Sequence, residues 1–327
     1  MFRWIALAQN ARKYGWTYSK NASYTTSVMA IVTVSVGTGM FLYKQYYTLH
    51  ALEVRESTKR FVGQTVVITG AAGDIGSATA KAFACEGAKV MLVDLASTVE
   101  RMEKLCKELQ TLGASQAEWT ACDVSDVEQV SNMVENSVKK FGGINFLFNN
   151  AGIQGSFAKV DKQSDAAFKR LININIYGMF LVMKYTSQAM IQAANGGVIV
   201  NTSSLAGLLG PPNMIAYATS KFAVVGMTKS AAKDLAEHNI RVCAIAPGLI
   251  DGKMWYTQVK GQAQCRKGTS TISDDEIQQH ESRMITSVPM KRLGKLEEIA
   301  SVVLFLCSKD ASYLTGTVIP IDGGKLQ

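Results

Sequence analysis

From residue 61 to the end of the chain, short apolar runs alternate with longer amphipathic stretches, and this alternation restricts the possible folds most. The apolar runs predict seven strands, at 65–69, 89–94, 117–121, 144–149, 198–203, 240–246 and 317–321. Helices are predicted between them, at 75–87, 96–112, 126–140, 164–194, 215–237 and 296–307. Buried parallel strands are nearly continuous runs of Val, Ile and Leu, as these are. The pattern therefore predicts a single doubly wound α/β domain with a parallel seven-stranded sheet.

The first strand leads directly into a glycine-rich turn, Thr69-Gly70-Ala71-Ala72-Gly73-Asp74-Ile75-Gly76, and a helix follows. Gly70 permits a tight turn, Gly73 lets the backbone approach a pyrophosphate, and Gly76 lets the helix pack closely against the strand. The free N–H groups and the dipole at the helix N-terminus favour phosphate there. A glycine triplet alone is weak evidence, because an ordinary turn between strand and helix can also contain it.

Asp94 ends the second strand, 24 residues after Gly70. A carboxylate there can accept hydrogen bonds from the adenosine ribose and would repel a 2′-phosphate, which favours NAD over NADP. The turn contains no Lys or Arg, and Asp74 adds a second negative charge. We therefore predict an NAD-binding Rossmann domain over residues 61–327. Its predicted cofactor contacts in this half of the sheet are Gly70, Gly73, Asp74, Ile75, Gly76 and Asp94.

The chain resembles the short-chain dehydrogenase/reductase family over essentially all of residues 61–327. The matching segments are the glycine turn at 69–76, Cys122-Asp123-Val124, Asn149-Asn150-Ala151-Gly152, Asn175-Ile176-Tyr177-Gly178, Ser203-Ser204, Tyr217-Ala218-Thr219-Ser220-Lys221, Pro247-Gly248 and Ile321-Asp322-Gly323-Gly324. The resemblance implies an enzyme whose further cofactor-binding residues are Asp123, Val124, Asn150, Ala151, Gly152, Tyr217, Lys221, Pro247, Gly248 and Ile250. It also implies that Asn175 holds a water for proton relay.

Two positions depart from the family pattern. Asp74 stands where the short form usually has Gly, and the resulting spacing of glycines is similar to that of the extended branch, which includes epimerases. Gly252 stands where the family often has a Thr that contacts the cofactor. The segment at 149–152 and the tail at 289–324 favour the short form.

Four residues form the predicted catalytic set: Asn175, Ser204, Tyr217 and Lys221. Hydride transfer needs a group that exchanges a proton with the carbinol oxygen, and Tyr217 can be that group. Lys221 lies four residues later on the same helix face, where its ammonium is expected to lower the phenol pKa. The Ser204 hydroxyl can hydrogen-bond the substrate oxygen. No metal site is predicted, because the cysteines and histidines lack metal-ligand spacing.

These residues predict an NAD-dependent oxidoreductase that interconverts a secondary alcohol and a ketone. About forty residues between Gly248 and Pro289 are predicted to form a substrate lid, and its Met254, Trp255 and Tyr256 favour a lipophilic alcohol or ketone. A 3-oxoacyl reductase remains an alternative, although Asp94 counts against the NADPH that such enzymes usually prefer. An epimerase, or a membrane-anchored NAD-binding protein without turnover, also remains open.

The N-terminal region carries most of the positive charge. Residues 1–60 have a net charge of +6, whereas the other 267 residues have a net charge of only +2, which argues against a nucleic-acid partner. Residues 1–20 are a basic leader, the uncharged 21–43 are long enough for a transmembrane helix, and 44–60 are a polar linker. We expect membrane attachment through 21–43, in a mitochondrial or endoplasmic-reticulum membrane, with a cleaved targeting peptide as the alternative.

The six cysteines form no paired motif and are predicted to be buried, reduced thiols, which suggests that the catalytic domain faces a reducing compartment. The helices at 164–194 and 215–237 have more apolar residues than one core face needs. A homodimer or homotetramer is therefore expected, as is common in the family.

Overall fold

The structure is a computed structural model that describes residues 32–36, 39–43, 59–269 and 271–326. The described residues from Lys59 onward form one compact unit. The strands, in chain order, are β1 Val32–Val36, β2 Gly39–Tyr43, β3 Thr65–Thr69, β4 Lys89–Asp94, β5 Gln116–Ala121, β6 Phe146–Asn149, β7 Gly197–Thr202, β8 Ile240–Pro247 and β9 Val318–Ile321.

Strands β3 to β9 form the predicted seven-stranded parallel sheet, in the order β5-β4-β3-β6-β7-β8-β9. Because the strand order reverses beside β3, the crevice between the carboxyl ends of β3 and β6 is the switch point at which such sheets bind ligands. The register pairs Asn149 with Asn201 and Thr202 with Ile245, so the strands from β6 to β8 end close to one level.

Helices cover both faces of the sheet. They are α1 Asp74–Cys85, α2 Val99–Leu112, α3 Val127–Phe141, α4 Asp165–Ile172, α5 Met179–Ala193, α6 Ala206–Leu209, α7 Ile215–Asp234, α8 Lys253–Lys267, α9 Asp274–Thr286 and α10 Leu296–Cys307. Between α4 and α5, residues Asn173–Gly178 form a π-helical turn. The region predicted as a lid thus contains two helices, α8 and α9, that were not predicted.

Alternate residues of the central strands enter two separate cores. Val66 and Ile68 of β3 are fully buried in one core with Phe83 of α1, whereas Val67 packs in the other with Met133 of α3. In the first core, the rings of Phe61 and Phe83 lie 5.0 Å apart between centroids. Burial on both faces explains why these strands lack polar alternation in the sequence.

The predicted membrane anchor at 21–43 is wrong. β1 and β2 pair as antiparallel strands within this segment, from Val32 opposite Tyr43 to Val36 opposite Gly39. β1 is rich in β-branched residues, which favour strands over helices. Among the described residues, no helix is long and apolar enough to cross a membrane. The predicted mitochondrial or endoplasmic-reticulum membrane location depended on this anchor and is wrong too.

The remaining N-terminal predictions concern residues outside the described part of the chain. The basic leader at 1–20 and residues 44–58 of the linker lie outside the described residues, as do residues 21–31, 37 and 38.

All six cysteines are free. Four are buried, Cys265 is partly buried, and Cys85 is exposed, so the prediction of buried thiols holds for most of them. Burial raises the pKa of the Cys122 thiol to about 12 and that of Cys106 to about 11. These two thiols are therefore unreactive near neutral pH.

Candidate active site

A cavity of about 810 Å³ opens at the carboxyl ends of the parallel strands. This volume lies within the range of small-molecule and cofactor sites. Its lining includes all of the predicted site residues except Gly76 and Asn175: Gly70, Gly73, Asp74, Ile75, Asp94, Asp123, Val124, Asn150, Ala151, Gly152, Ser204, Tyr217, Lys221, Pro247, Gly248 and Ile250. The strand topology therefore brings together residues that lie far apart in the sequence.

The glycine turn packs so tightly that position 76 cannot carry a side chain. A Cβ atom there would lie 2.2 Å from the carbonyl oxygen of Gly70. Gly76 is thus a packing residue beneath the turn, as the spacing predicted, and it does not face the cavity. Its absence of a side chain lets α1 begin directly below the turn and present its N-terminal N–H groups to a ligand.

Asp94 holds the glycine turn in place. One of its carboxylate oxygens accepts a hydrogen bond from the backbone N–H of Ala72 at 2.9 Å, and the other accepts one from Leu95 at 2.8 Å. Each carboxylate oxygen can accept a further bond. The side chain is therefore fixed at the end of β4 and still able to receive ribose hydroxyls.

The segment after β6 is anchored to the end of β3. The Thr69 hydroxyl oxygen accepts hydrogen bonds from the backbone N–H groups of Asn150 and Ala151, at 2.9 and 3.0 Å. The Asn150 amide donates to the Thr69 carbonyl at 3.1 Å, and its oxygen accepts from Thr202 at 3.1 Å. Asn150 thus links three neighbouring strands across the floor of the cavity.

Tyr217 and Lys221 lie on one face of α7, beside Ser204, which follows β7. The Lys221 ammonium is buried, lies 5.6 Å from the centre of the Tyr217 ring, and donates to the Thr202 carbonyl at 2.8 Å. The Ser204 hydroxyl is close enough to the Tyr217 phenol to affect its pKa. Three of the four predicted catalytic residues therefore meet in the cavity wall.

The pKa values in this group differ from the sequence-based expectation. Burial raises the pKa of the Tyr217 phenol, and the hydrogen bond with Ser204 opposes that rise. Burial also lowers the pKa of the Lys221 amine to about 8. The ammonium was expected to lower the phenol pKa, but loss of solvation dominates for both groups. Tyr217 is consequently a neutral proton donor at neutral pH.

Asn175 lies on the π-helical turn behind the cavity and is fully buried. Its amide oxygen accepts from the Ile153 N–H at 2.8 Å, and its amide nitrogen donates to the Ile153 carbonyl at 2.8 Å and to the Ser220 hydroxyl at 3.1 Å. Ser220 in turn donates to the carbonyl of Tyr217 at 2.7 Å. The side chain therefore connects the segment after β6 to α7, a structural role that its sequence position did not indicate.

The two departures from the family pattern are in contact. The Asp74 carboxylate accepts a hydrogen bond at 2.7 Å from the backbone N–H of Lys253, the first residue of α8. A Cβ atom at Gly252 would lie 2.8 Å from that same carboxylate oxygen. Asp74 thus joins the glycine turn to the N-terminus of α8, and Gly252 leaves the space for it.

Helix α8 contributes part of the cavity wall. Met254 and the buried Trp255 line the cavity as predicted, whereas Tyr256 is 61% exposed and does not. Neighbouring residues on a helix point about 100° apart, which explains this separation. Sequence reasoning missed Gln258 and Gln262, which also line the cavity. Their spacing of four residues was the only signal, and it required knowing that the segment is a helix.

The arrangement fits the predicted dinucleotide. Gly76 leaves room for α1 under the turn, and Asp94 stands at the end of β4 with free acceptor capacity. The cavity extends from these residues to Tyr217 and Lys221, so one bound molecule can contact both ends.

A sequence profile of the family described as enoyl-(acyl carrier protein) reductase matches residues 70–325. Levodione reductase of Leifsonia aquatica is 37% identical over 268 residues, which are 82% of this chain and 96% of the relative. A 3-oxoacyl-[acyl-carrier-protein] reductase of Thermotoga maritima is 40% identical over 265 residues, 81% of this chain and 98% of the relative. The crystal structure of an NAD⁺-bound xylitol dehydrogenase, 45% identical, superposes with a TM-score of 0.76 over 81% of this chain and 100% of that one.

Proposed function

The chain belongs to the short-chain dehydrogenase/reductase family, and we propose that it interconverts a lipophilic secondary alcohol and its ketone with Tyr217 as the acid and base. It is an oxidoreductase that acts on alcohols and ketones, and it binds NAD(H). Our proposal adds the preference for NAD over NADP, the catalytic residues and the substrate class. The observation that carries it is the meeting of Ser204, Tyr217 and Lys221 in one cavity with Asp94.

The hydride that leaves the carbinol carbon would be accepted by NAD when it is bound. Tyr217 takes the proton from the carbinol oxygen during oxidation and returns a proton to the carbonyl oxygen during reduction. The Ser204 hydroxyl can donate a hydrogen bond to that oxygen, and it also favours the Tyr217 phenolate by lowering the phenol pKa. Lys221, fixed by the Thr202 carbonyl, keeps a positive charge next to the phenol below about pH 8.

The apolar side chains around Tyr217 favour a lipophilic substrate. Leu205 and Leu209 lie on one side of the cavity, Met214 precedes the catalytic helix, and Met254 and Trp255 come from α8. Burying apolar substrate surface against such side chains contributes roughly 25 cal/mol per Å².

Asp94 supports the preference for NAD. Its carboxylate is fixed at the end of β4 by two backbone N–H groups, and a negative charge there would repel a 2′-phosphate and disfavour NADP.

A 3-oxoacyl reductase is the second candidate, because one relative with 40% identity has that name. Asp94 argues against this function, because such enzymes usually use NADPH and the Asp94 carboxylate disfavours its 2′-phosphate. The two functions differ in cofactor and in the need for a carrier-linked substrate, so one set of assays separates them.

The test is NADH formation by the full-length protein with a panel of secondary alcohols, run in parallel with NAD and NADP. Turnover with NAD and little with NADP supports the proposal, and Asp94→Ala is expected to reduce that preference by at least about tenfold, or about 1.4 kcal/mol. Exclusive reduction of 3-oxoacyl thioesters with NADPH would establish the second candidate. Isomerised product without net NADH would indicate an epimerase, and cofactor binding without any turnover would indicate a non-catalytic protein.

A further inference from the structure

Two glutamines interrupt the apolar wall that α8 contributes to the cavity. Gln258 and Gln262 are four residues apart, on one face of the helix, and both are partly buried. Their neighbours in the wall, Met214, Met254 and Trp255, are apolar. Removing water from an amide at an apolar surface costs free energy unless the amide gains a hydrogen bond in its place. These side chains therefore need a polar partner when a substrate displaces water from the cavity.

Gln258 is held in place next to the catalytic centre. Its amide oxygen accepts a hydrogen bond at 2.9 Å from the amide nitrogen of Gln154, which is only 8% exposed. Gln154 follows Ile153, the residue that both accepts from and donates to Asn175. With its oxygen engaged, the amide nitrogen of Gln258 has no partner among the residues that the structure describes. It is a positioned donor without an acceptor.

Gln262 lies against the start of the catalytic helix. Its amide nitrogen is 3.2 Å from the sulfur of Met214, three residues before Tyr217. A thioether is a weak acceptor, so this amide gains little from its contact. Both amides thus lie beside residues that flank the catalytic group, and both can donate to an oxygen in the cavity.

We propose that Gln258 and Gln262 bind a second oxygen atom of the substrate, one that does not react. The substrate is then a ketone that also carries a hydroxyl or a second carbonyl, or the alcohol formed from it, with a mostly apolar carbon frame. This inference rests on the proposed function and narrows its substrate class. The amide N–H groups donate to the second oxygen, while Ser204 and Tyr217 hold the reacting one.

The test compares ketones that differ only in the second oxygen. The full-length protein with NADH reduces 4-hydroxycyclohexanone and 4-methylcyclohexanone in separate assays, and an open-chain pair, 6-hydroxyhexan-2-one and heptan-2-one, is measured alongside. Hydroxyl and methyl groups are similar in size, so hydrogen bonding is the main difference. We expect kcat/KM to be at least about tenfold higher for the hydroxylated member of one pair, in line with one good hydrogen bond.

Gln258→Met and Gln262→Met replace the amides with side chains of similar length. Each is expected to reduce the preference for the hydroxylated ketone over the methyl-bearing one severalfold. Thr257→Val, on the exposed side of the same helix, is the matched control and is expected to keep the preference.

The outcomes separate the two proposals. Equal reduction of both members of both pairs by the unmodified protein would overturn the amide subsite and leave the proposed function intact. A preference that survives both substitutions would also overturn it. Failure to reduce any ketone would contradict the proposed function and, with it, the amide subsite that depends on that function.

Discussion

Tyr217 is the residue at which the proposed chemistry can be tested most directly. Removing its hydroxyl in Tyr217→Phe eliminates the proton donor and acceptor but leaves the ring that packs beside Lys221. We expect kcat to fall by at least about a hundredfold, the usual contribution of general acid–base catalysis, with NADH affinity nearly unchanged. Steady-state kinetics and NADH fluorescence titration measure the two quantities.

Tyr185→Phe is the control for that substitution. Tyr185 lies on α5, packs against the second core and does not line the cavity. Its substitution should leave both quantities unchanged. Full activity in Tyr217→Phe would remove this residue from the mechanism.

The pH dependence of oxidation depends on Ser204. Oxidation needs the Tyr217 phenolate, and burial raises the phenol pKa, so the oxidation rate is expected to increase with pH through the alkaline range. The Ser204 hydrogen bond lowers that pKa. In Ser204→Ala the pKa is therefore higher, and the rise in kcat should move to higher pH as its maximum falls.

The profile of kcat against pH, measured between about pH 6 and 11, tests the predicted direction of this shift. A shift to lower pH would contradict the stated hydrogen bond. Ser203→Ala is a matched control, because that hydroxyl donates to the Lys221 carbonyl at 2.9 Å and does not contact the phenol.

For single residues, the sequence predicted the positions that depend only on neighbouring residues in the chain. Asp94 ends a strand, and Tyr217 and Lys221 share one turn of a helix, so local spacing was sufficient. It did not predict that Asn175 is engaged by Ile153 and Ser220, nor that desolvation dominates the Tyr217 pKa. Both depend on which distant segments close over the residue.

Among the structural elements, α8 depends on a contact with the glycine turn. Gly252 is the N-cap of α8 and has no side chain, and the Asp74 carboxylate accepts from the N–H of Lys253. We expect Gly252→Thr to perturb α8, because its Cβ would lie 2.8 Å from that carboxylate. Asp74→Gly is expected to remove the acceptor and cost about 1 kcal/mol of stability.

The double variant Asp74→Gly, Gly252→Thr is expected to recover much of both losses. The smaller residue at 74 gives space, and the threonine hydroxyl can itself accept from an N–H in the first turn of α8. Thermal unfolding and KM for the ketone are measured for the two single variants and the double variant. This double-mutant cycle gives the coupling free energy between positions 74 and 252. Additive losses would show that the two positions act independently, and Asp74→Asn, which keeps an acceptor oxygen, should have the smallest effect.

The sequence predicted the central strands of the sheet well because they are buried on both faces and are therefore nearly continuous apolar runs. It missed α8, which contains three Gln and three Lys, and α9, which contains two Gln and four acidic residues. It also predicted one long helix where β1 and β2 form a pair of strands. The length of that uncharged segment was given more weight than its β-branched residues, although the latter favour strands.

For the whole molecule, self-association is the remaining prediction. The helices expected to pair carry exposed aromatic residues: Phe180 on α5 is 41% exposed and stacks on Tyr177 at 6.4 Å, and Phe222 on α7 is 48% exposed. Neighbouring exposed aromatics are typical of protein–protein contacts. We therefore expect a homodimer or homotetramer in solution that buries these side chains.

Phe180→Glu combined with Phe222→Glu is expected to dissociate that assembly, because the interface would then have to bury unpaired carboxylates. Light scattering coupled to size-exclusion chromatography measures the mass of the full-length protein and of the variant. Tyr313→Glu, at a fully exposed tyrosine that follows α10, is the control and should keep the native mass. A monomeric unmodified protein at micromolar concentration would contradict the prediction. An assembly that survives the double substitution would place the interface elsewhere, since these two aromatics could not then be buried in it.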